Sequence, residues 1–499
     1  MPDTRKSSAR LSRPRRTRRG GFAGDVAKLA SGAAVAEALT VATAPILTRL
    51  FSPADFGAAA IFGAISGILV SVACLSYETA ILLPEDDGNA TGLFGVSCVA
   101  CVAMSAVYLA ICLSFRRPIQ SMLRWHGVPG WPWLMALTTF FGGLAAALSY
   151  WHSRRRRYGR ISWARVAGSG TTTFFQLGAG ALGHLTPTSL VQGAVAGSAA
   201  TFVMQGAQLG LVDARRLLTG QRVPQMMAVT VRYRKFPLLS TWSTLLNAIS
   251  WQLPALLLGH YFDTAVVGFY TLGFRMLQLP MSLLGNSIAQ VFVQRAARAR
   301  HEGRLAEVVR AVYDALVDFG LLPMAVLGIA GPDIFSAILG PQWHEAGVYA
   351  QILAPWTLVW FASSPLHGLF SVLEIQGLGL RMNTAVFVSR FASLALGGLL
   401  GSPRSAVALF SATGVLVYGY MCFVAMSRAG VDLIAVFKWT ARKILGVVPA
   451  CVVLLLLEWL SVDRWVVVAV AATLVLTQLA VLIGRHRSGR PRTWPPAAL

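Results

Sequence analysis

Fourteen apolar stretches, each about long enough to cross a bilayer, can be threaded so that nearly all the basic charge falls on one side. With the Arg-rich N-terminus on that side, 34 of the 43 Lys and Arg residues fall in its loops and tails, 6 fall opposite and 3 stay within spans. Such an excess marks the cytoplasmic face of a multi-pass inner-membrane protein. Both termini are therefore expected in the cytoplasm. The opposite side holds only Arg49, Arg116, Arg117, Arg124, Arg404 and Arg464, while Arg165, Arg275 and Arg390 lie within spans.

Composition supports the same reading. The 499 residues are 55% apolar and 13% charged, against about 25% charged for soluble domains. The net charge of +23 does not point to nucleic acid, because the basic residues are scattered over short loops between spans and are not gathered on a folded polar surface. All six cysteines fall in apolar segments, and the Cys98, Cys101 pair lies within a span without polar partners, so they read as small packing residues. The string SRPRRTRRGG before an apolar run resembles a twin-arginine signal. That run contains Glu37, reaches Arg49 and carries Pro45 after the would-be cleavage site, so it is expected to be an uncleaved first span. Residues 1–27 then form a basic, disordered cytoplasmic arm near anionic headgroups.

Spans are expected at about 28–50, 54–83, 88–115, 131–152, 159–183 and 188–212, forming an N-terminal lobe over 28–212. A cytoplasmic linker, 213–235, precedes spans at about 236–260, 265–292, 310–331, 346–373, 379–400 and 403–427, the C-terminal lobe over 236–427. An amphipathic link and two further helices, at about 440–460 and 464–484, fill 428–484, and 485–499 is a second cytoplasmic tail. The expected fold class is all-α and polytopic, with about 14 transmembrane helices in two pseudo-symmetric six-helix lobes plus two C-terminal helices. Each lobe has an even number of spans, so both enter from the same side and a repeat would be parallel. An internal echo supports this. PILTRLFSPADFG (45–57) and PALLLGHYFDTAVVG (254–268) each place a proline late in a span, an aromatic turn with Asp, and a glycine entering the next span.

Several spans carry polar stripes. Arg275, Gln278, Ser282, Asn286 and Gln290 recur at helical spacing on one face, as do Ser240, Ser243, Asn247, Ser250 and Pro254, and Ser198, Thr201, Gln205 and Gln208. Serines and amides alone act as interhelical glue. A stripe that includes an arginine is better satisfied by a water-filled cavity. An arginine at the middle of a span costs about 2.5–3.5 kcal/mol on insertion scales, so Arg275 and Arg390 need compensation, whereas Arg165 snorkels from a helix end. Glu37, central in the first span, can pair with one of them as ion-pair or coupling residue. A net cationic cavity then remains, suited to phosphate or pyrophosphate, which guanidinium binds bidentately.

Walker A, a GxGxxG opening a helix, and HExxH do not occur, so ATP-driven transport, dinucleotide chemistry and zinc hydrolysis lack their usual signatures, and neither a cofactor nor a metal is expected. His184, His260 and His367 read as packing or interfacial residues. The pairs Gly63 with Gly67 and Gly193 with Gly197 read as close helix contacts.

Particular strings resemble the polysaccharide and O-antigen flippases of the Wzx type, within the multidrug/oligosaccharidyl-lipid/polysaccharide exporter superfamily. They are PILTRLFSPADFG at 45–57, YETAILLPEDD at 77–87, VVGFYTLGFRMLQLPMSLLGNSIAQVF at 266–292, GPQWHEAGVYAQILAPW at 340–356 and SPLHGLFSVLEIQG at 364–377. The likeness spans about 28–430. It implies a bacterial inner-membrane transporter, not an enzyme. Two lobes would alternate a central cationic cavity between cytoplasm and periplasm and carry an undecaprenyl-pyrophosphate-linked oligosaccharide for cell-surface polysaccharide or lipopolysaccharide synthesis. Arg275 within GFRMLQLP best matches a family basic residue, and Arg49 within LTRLF is next, with pairing to Asp55 as the alternative for Arg49. The expected cavity set is Arg275, Arg390, Arg49, Gln278, Asn286, Gln290 and Asn247. Expected partners are the lipid-linked oligosaccharide, membrane lipids, a polysaccharide polymerase and a chain-length regulator, but no nucleic acid, with proton or sodium coupling open. Two alternatives stand beside it: a cation-coupled small-molecule exporter of the same superfamily, and a membrane polymerase or glycosyltransferase, for which the outward loops are short.

Overall fold

A computed structural model describes residues 21–122, 128–219, 223–280 and 286–487, and these contain helices but no strand. The first bundle comprises α1 (Gly21–Leu50), α2 (Pro53–Val72), the single turn α3 (Tyr77–Ala80), α4 (Asp87–Ser114), α5 (Arg116–Met122), α6 (Trp131–Arg154), α7 (Tyr158–Ala181) and α8 (Pro187–Ala207). Two short helices follow, α9 (Leu211–Thr219) and α10 (Val223–Arg232). The second bundle holds α11 (Thr241–Tyr261), α12 (Thr264–Pro280), α13 (Asn286–His301), α14 (Leu305–Leu339), α15 (His344–Ser363), the short α16 (Gly368–Val372), α17 (Gln376–Leu399) and α18 (Pro403–Arg428). Finally α19 (Leu433–Trp459) and α20 (Arg464–Arg487) lie against α14.

Among the described residues nine helices are long and apolar enough to cross a membrane, ten if α8 and α9 are taken as one bent span. The others expected to span, such as α7 and α15, are diluted by Gly, Ser, Thr, Gln and Trp because they are packed on several sides. In the first bundle α7 packs on α1 and α8, and α6 bridges α4 and α8. In the second, α15 is central and touches α12, α14 and α18. Its Trp356, Tyr349 and Phe361 are fully buried beside Phe410 of α18. Between bundles, α2 lies against both α11 and α12.

The repeated glycines meet at that contact. A methyl group on Gly57 would overlap the Thr264 carbonyl, and one on Gly268 would overlap the Pro53 carbonyl. The first turns of α2 and α12 therefore cross backbone to backbone, and only glycine permits such approach. Each turn before them is capped by its aspartate: Asp55 accepts from the Ser52 backbone N–H, and Asp263 accepts from the Val266 N–H. Gly193 and Gly197 likewise meet α7 through Thr172, whereas Gly63 faces open space.

Several expected spans are corrected. The stretch 54–83 is not one helix: α2 ends at Val72, and Leu75 and Ser76 adopt left-handed backbone (φ 52° and 58°) before α3. Such non-glycine residues are strained, and the Thr241 hydroxyl donating to Ser76 Oγ (3.2 Å) helps hold them. The stretch 188–212 breaks after Ala207, and α9 leaves at 110°. Of the stretch 265–292, α12 covers the part to Pro280 and α13 the part from Asn286, and 281–285 lie outside the described residues. Helix α14 is 35 residues long and begins at Leu305, so Arg310 belongs to a helix and not to a loop. Similarly α19 starts at Leu433, which places Lys438, Arg442 and Lys443 within it. At the N-terminus the helix starts by Gly21, and the rest of the expected arm lies outside the described residues.

Candidate substrate site between the two bundles

The bundles close on each other at the end remote from the Arg- and Lys-rich loops. There the Thr48 hydroxyl donates to the Leu339 carbonyl (2.9 Å), and the Thr48 carbonyl accepts from Trp343 Nε1 (2.9 Å) and Gln342 Nε2 (2.5 Å). Phe56 and Phe269, one from each bundle, set their edges against the Trp343 ring at 5.2 and 6.1 Å. Arg49 joins this seal by donating to the Ile338 carbonyl (3.5 Å). Its alternative partner Asp55 instead forms a capping box with Ser52. Arg49 is therefore placed at the closed end, on the other bundle's backbone.

Three turns back along α1 the bundles separate. Glu37 reaches across to Arg275 of α12, Oε1 to Nε 3.5 Å, and their side chains remain 33% and 44% exposed. Protein therefore does not enclose the pair. In an apolar helix a charged pair of this kind faces a polar cavity, not lipid. The expected pairing of Glu37 with a central arginine is thus present and joins the two bundles. Gln278 follows one turn after Arg275 and is half-buried, and Asn247 of α11 is exposed. Asn286 and Gln290 lie in the first turns of α13, with side chains outside those described.

Arg390 is placed elsewhere. It is only 4% exposed and lies inside the second bundle. Its Nη1 donates to the Ser250 carbonyl (3.1 Å) and Oγ (3.3 Å), and its Nη2 donates to the Tyr418 hydroxyl (2.9 Å). The guanidinium carbon stands 4.4 Å from the Trp251 ring centroid and 6.0 Å from those of Trp356 and Tyr418. Dipoles and aromatic faces compensate it where a place in the cationic cavity was anticipated. Its donors are spent within the bundle, and it is removed from the cavity set.

Two further groups were missed. Glu78 in α3 is buried, and its Oε2 has no partner among the described residues. It stands in a string quoted for its family likeness, but a carboxylate at a loop edge gives no periodic signal. Lys443 of α19, counted as a loop residue, pairs with Asp318 of α14 and also lies over the Trp439 ring. Gln478 of α20 donates to the Asp318 carbonyl (2.7 Å). The last two helices are thus tied to α14 by polar contacts. An i, i+4 pairing of Asp314 and Asp318 in an apolar helix was the available signal.

The fold is similar to several solved transporters. The structure described as lipid II flippase MurJ, inward closed conformation, superposes with TM-score 0.66 at 11% identity, over 92% of this chain and 98% of that one. An inward-facing multidrug resistance MATE family transporter of the MOP superfamily gives 0.59 at 14% identity over 82% of this chain and 95% of that one. The outward-facing form gives 0.52 at 14% identity, over 82% of this chain and 96% of that one. No curated protein matches the sequence. At these identities the likeness establishes a MurJ- and MATE-like polytopic fold. The family model described as polysaccharide biosynthesis protein matches residues 46–348, well over half of the sequence, and the chain belongs to that family.

Proposed function

We propose that the chain is a transporter that flips undecaprenyl-pyrophosphate-linked oligosaccharide across the bacterial inner membrane for cell-surface polysaccharide or lipopolysaccharide synthesis, both termini being cytoplasmic. The observation that carries this is the partly exposed Glu37–Arg275 pair bridging the bundles while the far end is sealed. Family membership supports the polysaccharide context, and the fold supports alternating access.

A half-exposed pair contributes little to stability, about 0–1 kcal/mol. Arg275 can therefore exchange Glu37 for a better anion at small cost. A pyrophosphate offers several oxygens to one guanidinium, and such charge-assisted hydrogen bonds are worth about 1.5–3 kcal/mol each. Displacing Glu37 uncouples α1 from α12, and with them the two bundles, which is the change an alternating-access cycle needs. Gln278 and Asn247 then offer amide groups to the sugar. With Arg49 in the seal and Arg390 in the bundle, Arg275 alone of the expected arginines carries the anion. In cells, Arg275→Ala should strand lipid-linked oligosaccharide in the cytoplasmic leaflet at unchanged protein level. Undiminished polymer export by that variant removes the proposal.

A second reading, a cation-coupled small-molecule exporter, is favoured by the single feature that the pair contains an acid. It requires Glu37→Gln to abolish export of a cationic dye driven by a proton or sodium gradient. The flippase reading requires that no such export occur.

A further inference from the structure

Apart from the interbundle site, positive charge concentrates where α9 meets the first bundle. Helix α9 leaves the end of α8 at 110°, so it runs along the surface where a spanning helix emerges. Its Asp213 is buried and pairs with Arg155 (3.2 Å) and Arg157 (2.5 Å) from the α6–α7 turn. Asp87, which opens α4, pairs with Arg154 (3.3 Å), Arg155 (3.1 Å) and Arg216. Four guanidiniums thus share two carboxylates, and positive charge is in excess. Arg155 Nε is buried without a partner among the described residues.

All of these side chains except Arg154 line a cleft of about 460 Å³. Its mouth is formed by Leu211 and Val212, which are 91% and 73% exposed. Exposed apolar residues continue on α10 as Val223, Met227 and Val231 at four-residue spacing, backed by the exposed Arg232, Arg234 and Lys235. An apolar rim beside surplus guanidiniums, at the depth where a spanning helix ends, has the chemistry of a phospholipid: phosphate within, acyl chain along the rim.

We infer that this cleft is a binding site for the phosphate headgroup of an anionic phospholipid of the adjacent leaflet, separate from the transport site. The bound phosphate takes the surplus guanidinium donors and fastens α9, and through it the connection between the bundles, to α4 and α6. A soluble phosphate would satisfy the arginines but leave Leu211 and Val212 in water, so the occupant is a lipid.

The test uses thermal unfolding of the full-length protein in detergent, titrated with phosphatidylglycerol, phosphatidylcholine or inorganic phosphate, with native mass spectrometry counting retained lipid. Phosphatidylglycerol should raise Tm and stay bound, while the other two should not. Arg157→Gln should weaken the phosphatidylglycerol effect about tenfold, the loss expected for one charge-assisted hydrogen bond. Arg157→Lys should restore most of it. The double change Leu211→Ser and Val212→Ser should weaken the effect with every ion pair retained, so its result does not depend on the folding of the arginine variant. An equal shift with phosphatidylcholine or with inorganic phosphate overturns the inference. So does an unaltered phosphatidylglycerol response in the Leu211→Ser, Val212→Ser protein.

Discussion

Arg275 and Arg390 stand in apolar helices of the same bundle, and the two regions around them treat the same charge in opposite ways. Around Arg275 the helices part, a carboxylate from the other bundle reaches in, and both side chains stay partly exposed. Around Arg390 four helices converge, and the guanidinium is held by a carbonyl, two hydroxyls and aromatic faces. The first arrangement is exchangeable, because a new anion can replace Glu37 without unpacking a core. The second is fixed, because Ser250 and Tyr418, which take its donors, are themselves buried. Depth in a span therefore does not decide how an arginine is compensated; the packing around it does.

That contrast can be broken by substitution, and the largest effect should come from the fixed site. Arg390→Ala leaves a cavity and unpaired groups on Ser250 and Tyr418, so it should destabilise the protein by about 3 kcal/mol, seen as lower Tm and yield. Arg275→Ala should change stability by less than about 1 kcal/mol while transport falls by a factor of about 10–100, measured at matched protein level. Equal stability loss in the two variants would erase the distinction. Gly57→Val should force α2 from α12 and loosen the seal, lowering cross-linking between Thr48→Cys and Leu339→Cys relative to the glycine parent.

The smallest effect concerns pH. Asp86 caps α4, and the backbone N–H groups of Asn89 and Gly88 hold its carboxyl below the usual range. A folded pKa lower than the unfolded one stabilises above the unfolded value, near pH 4, and that stabilisation is lost as pH falls through the folded value. Stability should therefore fall slightly as pH drops below about 4, and Asp86→Asn should flatten that dependence, the difference between the two proteins being largest at neutral pH and vanishing in acid.

Most of the helix plan was legible in the sequence because apolar length and the sidedness of Lys and Arg are imposed by the bilayer itself. The repeated proline, turn and glycine pattern was legible too, and Gly57 and Gly268 turned out to face each other. What escaped was decided by tertiary contact. The break at Leu75 and Ser76 carries neither Gly nor Pro, so no local signal announced it. The length of α14 and the early start of α19 escaped because charged helix ends look like loops until Lys443 finds Asp318. At the site, Glu37 was found because a lone acid in a span is conspicuous. Arg390 was misassigned because hydropathy registers the cost of a buried charge but not whether aromatic rings or water repay it.

The most direct measurement is flipping of a defined undecaprenyl-pyrophosphate oligosaccharide in proteoliposomes by the wild-type protein, Arg275→Ala and Arg275→Lys, each reconstituted to the same density and checked for equal Tm. The expected result is rapid flipping by the wild type, a loss of about 10–100-fold in Arg275→Ala and partial recovery in Arg275→Lys. Wild-type rates in Arg275→Ala at equal Tm would contradict a substrate-binding arginine between the bundles.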